Sequence, residues 1–236
     1  MPGVTGRILL ATPVRLLLLW LQLRTRAIDD IATDFARSGG RQILLLGAGF
    51  DCRAIRLGPR LADVRFVEVD HPATQAKKRA VLQSAQISGN AAYLAWDFER
   101  DPIKAFPARV EAQGLALAQP TLTIWEGVIP YLSEPAVETT LSALRAFGSD
   151  GSRVVLNYIE RRCIERGAAW HTLVARMGEP LRFGWNPAEL PAWLSARGFQ
   201  WLGDRDDQEL ARALFSGRWR NTFPARGGRI ALAKPA

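Results

Sequence analysis

The chain has 236 residues, of which 48% are hydrophobic and 23% charged; these are the values of an ordinary globular protein and exclude disorder or a fibrous repeat as its main state. Two cysteines, Cys52 and Cys163, are too few for a disulfide framework, and with only His71 and His171 beside them they leave no obvious zinc site, so metal-free cytoplasmic chemistry is expected. The net charge of +8 is uneven: residues 41–150 carry twelve groups of each sign, whereas residues 151–236 carry fourteen basic and eight acidic groups with no run of five like charges, a surface that is either solvated or faces something anionic.

Leu16 to Leu21 is a run of six apolar residues flanked by Arg15 and Arg24, far short of the ~18 needed to cross a bilayer. No small-residue cleavage site accompanies it. A helix packed on the domain, or a lid over an apolar pocket, is expected. Ile28, Ile31, Ala32 and Phe35 continue at helical spacing until Gly39-Gly40. Gln42 to Leu46 reads as a buried strand, followed by a helix from Asp51. Val64 to Val69 is a second strand, and Pro72 opens the next helix, which carries Lys77, Lys78 and Arg79 outward. Further strands are expected at Ala92 to Trp96, Thr121 to Trp125 and Arg153 to Tyr158. Ser133 caps a helix whose apolar face is Val137, Thr140, Leu141, Leu144 and Phe147. Asn186 to Glu189 marks another helix start, with Pro191 in its first turn. Phe199 to Leu202 and Arg229 to Ala233 read as two last strands, paired antiparallel. Strands alternating with helices give a doubly wound, mostly parallel α/β sheet. One domain is expected: a helical extension over 1–40, a ligand-binding core over 41–160, a helical insert over 160–185, and a C-terminal helix with the last strands over 186–236.

The candidate chemistry lies where strands end. Gly47-Ala48-Gly49 after the first strand permits close approach of a ligand to the backbone. The position of a third glycine is Cys52, which disfavours a pyrophosphate and suits a nucleoside without phosphate, such as S-adenosylmethionine. Asp70 ends the second strand at the spacing where a carboxylate grips ribose hydroxyls; it either does so or caps the helix at Pro72, and Glu68 is a second candidate for the sugar. Asp97 beside Phe98 ends the third strand and offers an acceptor and a ring to adenine. Glu126 ends the fourth and can accept from an ammonium group.

Four motifs in order carry a resemblance. Leu46-Gly47-Ala48-Gly49-Phe50-Asp51-Cys52-Arg53, Glu68-Val69-Asp70-His71-Pro72, Trp125-Glu126-Gly127-Val128 with Tyr131-Leu132, and upstream Arg24-Thr25-Arg26-Ala27-Ile28-Asp29-Asp30 resemble the leucine carboxyl methyltransferase family, best over residues 22 to 160. The resemblance implies a seven-stranded class I methyltransferase fold and S-adenosylmethionine-dependent O-methylation in secondary metabolism. It implies Arg24 on the methionine carboxylate with Arg26 as close competitor, Gly47 and Gly49 along methionine and ribose, Asp70 on the ribose, Asp97 and Phe98 at adenine, and Glu126 near the ammonium group. The family's usual threonine after the first motif's aspartate is Cys52 here. The 46 residues before Gly47 are fewer than members typically carry, so the substrate lid is expected to be trimmed or supplied by a second subunit, as a monomer or a homodimer.

The acceptor is expected to be a small anionic molecule methylated on a carboxylate, which is already ionised and needs no general base. A hydroxyl acceptor would need one, and His171 and Tyr131 are the candidates, neither assigned. Trp170, Trp185 and Tyr158 with Arg161, Arg162 or Arg182 are candidate walls for a flat aromatic acid, whereas Trp193 and Trp201 are expected in the core. An RNA- or protein-methyltransferase-like binding module is the alternative, disfavoured because the basic residues are scattered. A nicotinamide reductase is disfavoured by Cys52. Neither nucleic acid nor membrane is an expected partner.

Overall fold

The computed structural model describes residues 12–165, 180–225 and 227–236. Helix α1 spans Thr12–Arg37 and buries Leu23, Ala27, Ile28 and Ala32, which helical geometry places along one face. Gly39, at φ +97°, turns the chain out of the helix into strand β1, Gln42–Leu46, all of whose residues are buried. A strand covered on both faces reads as such a continuous apolar run. There follow α2 (Arg53–Leu57), β2 (Arg65–Asp70), α3 (Pro72–Ser84), β3 (Ala91–Ala95), α4 (Phe106–Glu111), β4 (Thr121–Trp125), α5 (Glu134–Leu144), β5 (Arg153–Ile159), α6 (Arg161–Glu165), α7 (Leu190–Ser195), β6 (Phe199–Asp206), α8 (Asp207–Leu214), α9 (Trp219–Thr222) and β7 (Gly228–Pro235).

The sheet order is β3-β2-β1-β4-β5-β7-β6, with β7 antiparallel to both its neighbours and β1 to β5 parallel. Strand order reverses between β1 and β4, so their carboxyl ends flank the crevice where doubly wound sheets take ligands. One face of the sheet presents Leu44, Leu46, Val67, Val69 and Leu156 to a core shared with α4, α5 and α7. The other presents Ile43, Leu45, Phe66, Ile124 and Val155 to α1, α2 and α8. Among the described residues no helix is long and apolar enough to cross a membrane.

β1 and β4 have the expected bounds, and β2, β3 and β5 differ from them by one residue. Ser133 caps α5 by accepting from the Ala136 amide (3.3 Å). Asn186 opens the turn that leads into α7: its Oδ1 accepts from the Ala188 amide (3.2 Å) and its carbonyl from the Leu190 amide (3.2 Å), and α7 itself runs from Leu190, which places Pro191 in the first turn. Of the expected 160–185 insert, residues 161–165 form α6, while 166–179, with Trp170 and His171, lie outside the described residues.

Some expectations are overturned by burial. Lys78 does not point outward: it is 1% exposed, and its Nζ pairs with Glu68 Oε2 at 2.5 Å and donates to the Asp51 carbonyl. Glu68, 2% exposed, is therefore a structural partner beneath the first turn and not a sugar ligand. Trp201 is 41% exposed on edge strand β6, whereas Trp193 packs on the core as expected. Trp185 and Tyr158 are buried in that core, ring centroids 5.4 Å apart, with the Tyr158 hydroxyl donating to Asp204, so among the described residues they pack as core side chains.

Burial raises the Glu68 carboxyl above the ordinary range, with the Lys78 bond and charge opposing. Removing one partner of a buried pair costs about 3–5 kcal/mol. Urea unfolding is expected to show Lys78→Met losing stability on that scale at neutral pH and less at acid pH, where Glu68 keeps its proton. Lys77→Met, on the exposed face, is expected to change stability by less than about 0.5 kcal/mol.

Candidate functional site

The turn after β1 is held by the neighbouring strand. The Ala48 amide donates to the Val69 carbonyl (3.0 Å), and the Gly49 amide donates to Asp70 Oδ2 (2.6 Å). Gly47 and Gly49 have φ of +61° and +48°, the left-handed region that glycine enters without penalty. At Gly47 a Cβ would meet Val128 Cγ2 at 2.2 Å, so the loop after β4 closes against bare backbone. At Gly49 a Cβ would find only the Gly47 carbonyl oxygen, at 3.9 Å, so the space above the turn is open. Asp70 Oδ1 accepts from the His71 amide (2.7 Å), and the cap of α3 is His71, whose Nδ1 accepts from the Ala73 amide (3.2 Å). Asp70 therefore clips the glycine turn and does not cap the helix.

α2 is a five-residue helix, and its first amide is occupied: Arg53 N–H donates to Asp51 Oδ1 (2.7 Å). Cys52 sits at the N-cap position without capping, its thiol donating to the Phe50 carbonyl (3.4 Å), so the bond that a hydroxyl at position 52 would offer to the second or third amide is missing.

A cavity of about 370 Å³ opens over this turn, between the carboxyl ends of β1 and β4. Arg24, Gly47, Gly49 and Glu126 all line it. Arg24 comes from α1 and donates through Nε to Glu126 Oε1 (2.6 Å) and through Nη1 to Asn157 Oδ1 (3.3 Å). Asn157 Oδ1 also accepts from the Gly127 amide (3.1 Å), fixing the β4 loop. Arg26 is 68% exposed and pairs with Asp30 on the outer side of α1, away from the cavity. The other oxygen of Glu126 pairs with Arg53, a residue the sequence reading quoted only as part of a motif; Arg53 also pairs with Asp29 (2.8 Å) and Asp51 (2.5 Å).

The remaining expected site residues stand at the ends of β2 and β3, outside the cavity lining. Asp97 Oδ1 accepts from the Glu99 amide (3.0 Å), and its Oδ2 lies 3.7 Å from His71 Nε2. Phe98 is partly buried, its ring centroid 6.3 Å from that of Trp125. Tyr131 lies in the single-turn helix Ile129–Tyr131 that follows the β4 loop. Arg24, Asp29, Asp51, Arg53, Asn157 and Lys78 thus form a supporting framework of which only Arg24 was singled out from the sequence.

A family model described as leucine carboxyl methyltransferase matches residues 12–145. The chain belongs to the leucine carboxyl methyltransferase family. A relative from Streptomyces avermitilis, provisionally named an S-adenosyl-L-methionine-dependent methyltransferase, is 33% identical over 227 residues, covering 90% of this chain and 74% of the relative. One from Streptomyces coelicolor with the same provisional name is 34% identical over 181 residues, covering 75% of this chain but 61% of the relative, so the match leaves more than a third of that protein unspanned. A solved DUF574-family structure from Streptomyces avermitilis superposes with a TM-score of 0.68 at 17% identity, covering 94% of this chain and 84% of the other, which shows a shared fold.

The members named above are described as dependent on S-adenosylmethionine, and the site fits that group. Its amino-acid end is a zwitterion, which needs a cation and a carboxylate side by side; Arg24 and Glu126 supply both within one cavity. The space over Gly49 is open, which the close approach of a nucleoside to the backbone would require.

Burial raises the Asp70 carboxyl above the ordinary aspartate range, outweighing the His71 and Gly49 amides that favour its ionised form. Its own contribution to folding is therefore present at acid pH and is lost as pH rises through the raised value. A diol held by Asp70 would favour the ionised form, so the affinity for such a ligand would run the opposite way. Titration calorimetry with S-adenosylhomocysteine is expected to show affinity falling on acidification from a pH above the ordinary value of about 3.9. Asp70→Asn is expected to bind weakly at neutral pH and to lose that dependence.

Proposed function

We propose that this chain binds S-adenosylmethionine over the β1 turn and methylates an oxygen, by preference a carboxylate, of a small anionic acceptor. The observation that carries this reading is the Arg24–Glu126 pair beside an open glycine turn in a cavity of about 370 Å³. Arg24 holds the methionine carboxylate, and Nη2 of this guanidinium has no hydrogen-bond partner among the described residues. Glu126 faces the ammonium group. Gly47 and Gly49 let methionine and ribose approach the backbone. Asp70 takes the ribose hydroxyls with the lone pairs that its two amide donors leave over. Asp97 and Phe98 meet adenine at the end of β3.

The bound sulfonium supplies an already activated methyl group, so the chain's own residues bind, orient and exclude water. A carboxylate acceptor is ionised at neutral pH and needs no proton removed. No general base is assigned, and Tyr131 is the one candidate for a hydroxyl acceptor within the described residues. Support for an anionic acceptor is confined to the cavity rim, where Arg56 is half-exposed although paired with Asp29. A nucleic-acid-binding module has less support. In the basic C-terminal third, Arg161, Arg162, Arg182, Arg197 and Arg229 face Glu189, Glu160, Glu99, Glu138 and Asp204, so much of that charge is balanced internally.

Calorimetry is expected to give a measurable heat of binding for S-adenosylhomocysteine and none for NADH. Arg24→Ala is expected to weaken S-adenosylhomocysteine about tenfold or more, the loss of one charge-assisted contact. Transfer of labelled methyl to a panel of aromatic carboxylic acids, against their amides and methyl ethers, tests the acceptor class; transfer to the amides alone would contradict the carboxylate reading.

A further inference from the structure

We propose that Arg53 is a positioning residue that aims Arg24 at the ligand, acting through Glu126 and through the backbone beside Arg24. This rests on the reading of Arg24 given above, as the partner of the ligand's carboxylate. Arg53 is 2% exposed and reaches three segments at once. Its Nε donates to Asp29 on α1, its Nη1 pairs with Asp51 in the turn and with Glu126 after β4, and its Nη2 lies 3.5 Å from the carbonyl of Thr25, the residue next to Arg24. Asp29 is also paired with Arg56, so α1 is clamped to α2 at the level of the cavity.

The geometry of Glu126 explains why this matters for binding. A carboxylate beside a single arginine takes it in a two-pronged fork that uses both of its oxygens. Here the charge against Oε2 is Arg53 Nη1, an ion pair in which Oε2 accepts no hydrogen bond from the described residues, and Arg24 meets only Oε1, through Nε. That leaves Nη2 of Arg24, a cavity-lining residue, without a carboxylate partner among the described residues, while Nη1 is held by Asn157. Charge balance sets the same requirement: Arg24, Arg53 and Arg56 match Asp29, Asp51 and Glu126, three against three. A lysine at position 53 keeps the charge but is a point donor without the planar fork, and it cannot bridge Asp29, Asp51 and Glu126 together.

The test is a comparison of two ligands in a double-mutant cycle, using calorimetry with S-adenosylhomocysteine and with adenosine, which lacks the amino-acid end. Arg53→Lys is expected to weaken S-adenosylhomocysteine about tenfold or more while leaving adenosine within about twofold. In an Arg24→Ala background, Arg53→Lys is expected to add less than about twofold, because both act on one contact. Equal losses for both ligands, additive losses in the cycle, or unchanged affinity for S-adenosylhomocysteine each overturn the positioning role while the functional reading stands. A wild-type chain that binds adenosine but shows no preference for S-adenosylhomocysteine overturns the Arg24 assignment beneath it and this role with it. If Arg53→Lys does not fold, Asp29→Asn, which keeps every arginine and removes one anchor of Arg53, runs the same cycle under the same criteria.

Discussion

A buried guanidinium is tolerated only where carboxylates surround it, and at Arg53 those carboxylates come from α1, from the β1 turn and from the loop after β4. The three segments are distant in sequence and adjacent only because the sheet order reverses between β1 and β4. Opposing the cost of burial, the three carboxylates hold Arg53 protonated throughout the accessible pH range. Each segment also carries a cavity-lining group: Arg24 from α1, the glycines from the turn, Glu126 from the β4 loop. Neutralising Arg53 and shaping the cavity are thus one structural problem with one solution.

A second buried pair repeats this design one strand away. Lys78 from α3 meets Glu68 from β2 and also donates to the Asp51 carbonyl, so the turn is supported from below while Asp70 clips it from the side. The turn is consequently fixed by side chains from β2 and α3 as well as by its own glycines. Little rearrangement is then needed on binding, which is how a site keeps its interaction energy for the ligand.

The parts of this arrangement legible in the sequence are those set by local rules. An apolar run located β1, β-branched and aromatic residues located β4, Ser133 announced the start of α5, and the glycines after β1 marked the crevice, because periodicity, capping and turn chemistry depend on neighbours a few residues away. Lys78 was misread for the complementary reason: a lysine between Lys77 and Arg79 looks solvated until β2 brings Glu68 beside it. Arg53 was invisible as a functional residue because Asp29 and Glu126 flank it only in three dimensions. Trp201 was placed in the core by its hydrophobicity, yet β6 is an edge strand with one exposed side. The four site motifs at the strand ends were legible as a set. Their division between one cavity, holding Arg24, Gly47, Gly49 and Glu126, and the neighbouring ends of β2 and β3, holding Asp70, Asp97 and Phe98, was not.

On the function proposed above, the Arg24–Glu126 pair and the Asp70-clipped glycine turn form one binding surface for a sulfur-bearing nucleoside. A crystal structure with S-adenosylhomocysteine measures this most directly. The account predicts the ligand's carboxylate within hydrogen-bond distance of Arg24 and its ribose hydroxyls on Asp70, with Glu126 still paired to Arg53. Ligand density at another edge of the sheet, or at this one with the Arg24 guanidinium turned wholly onto Glu126, would contradict it.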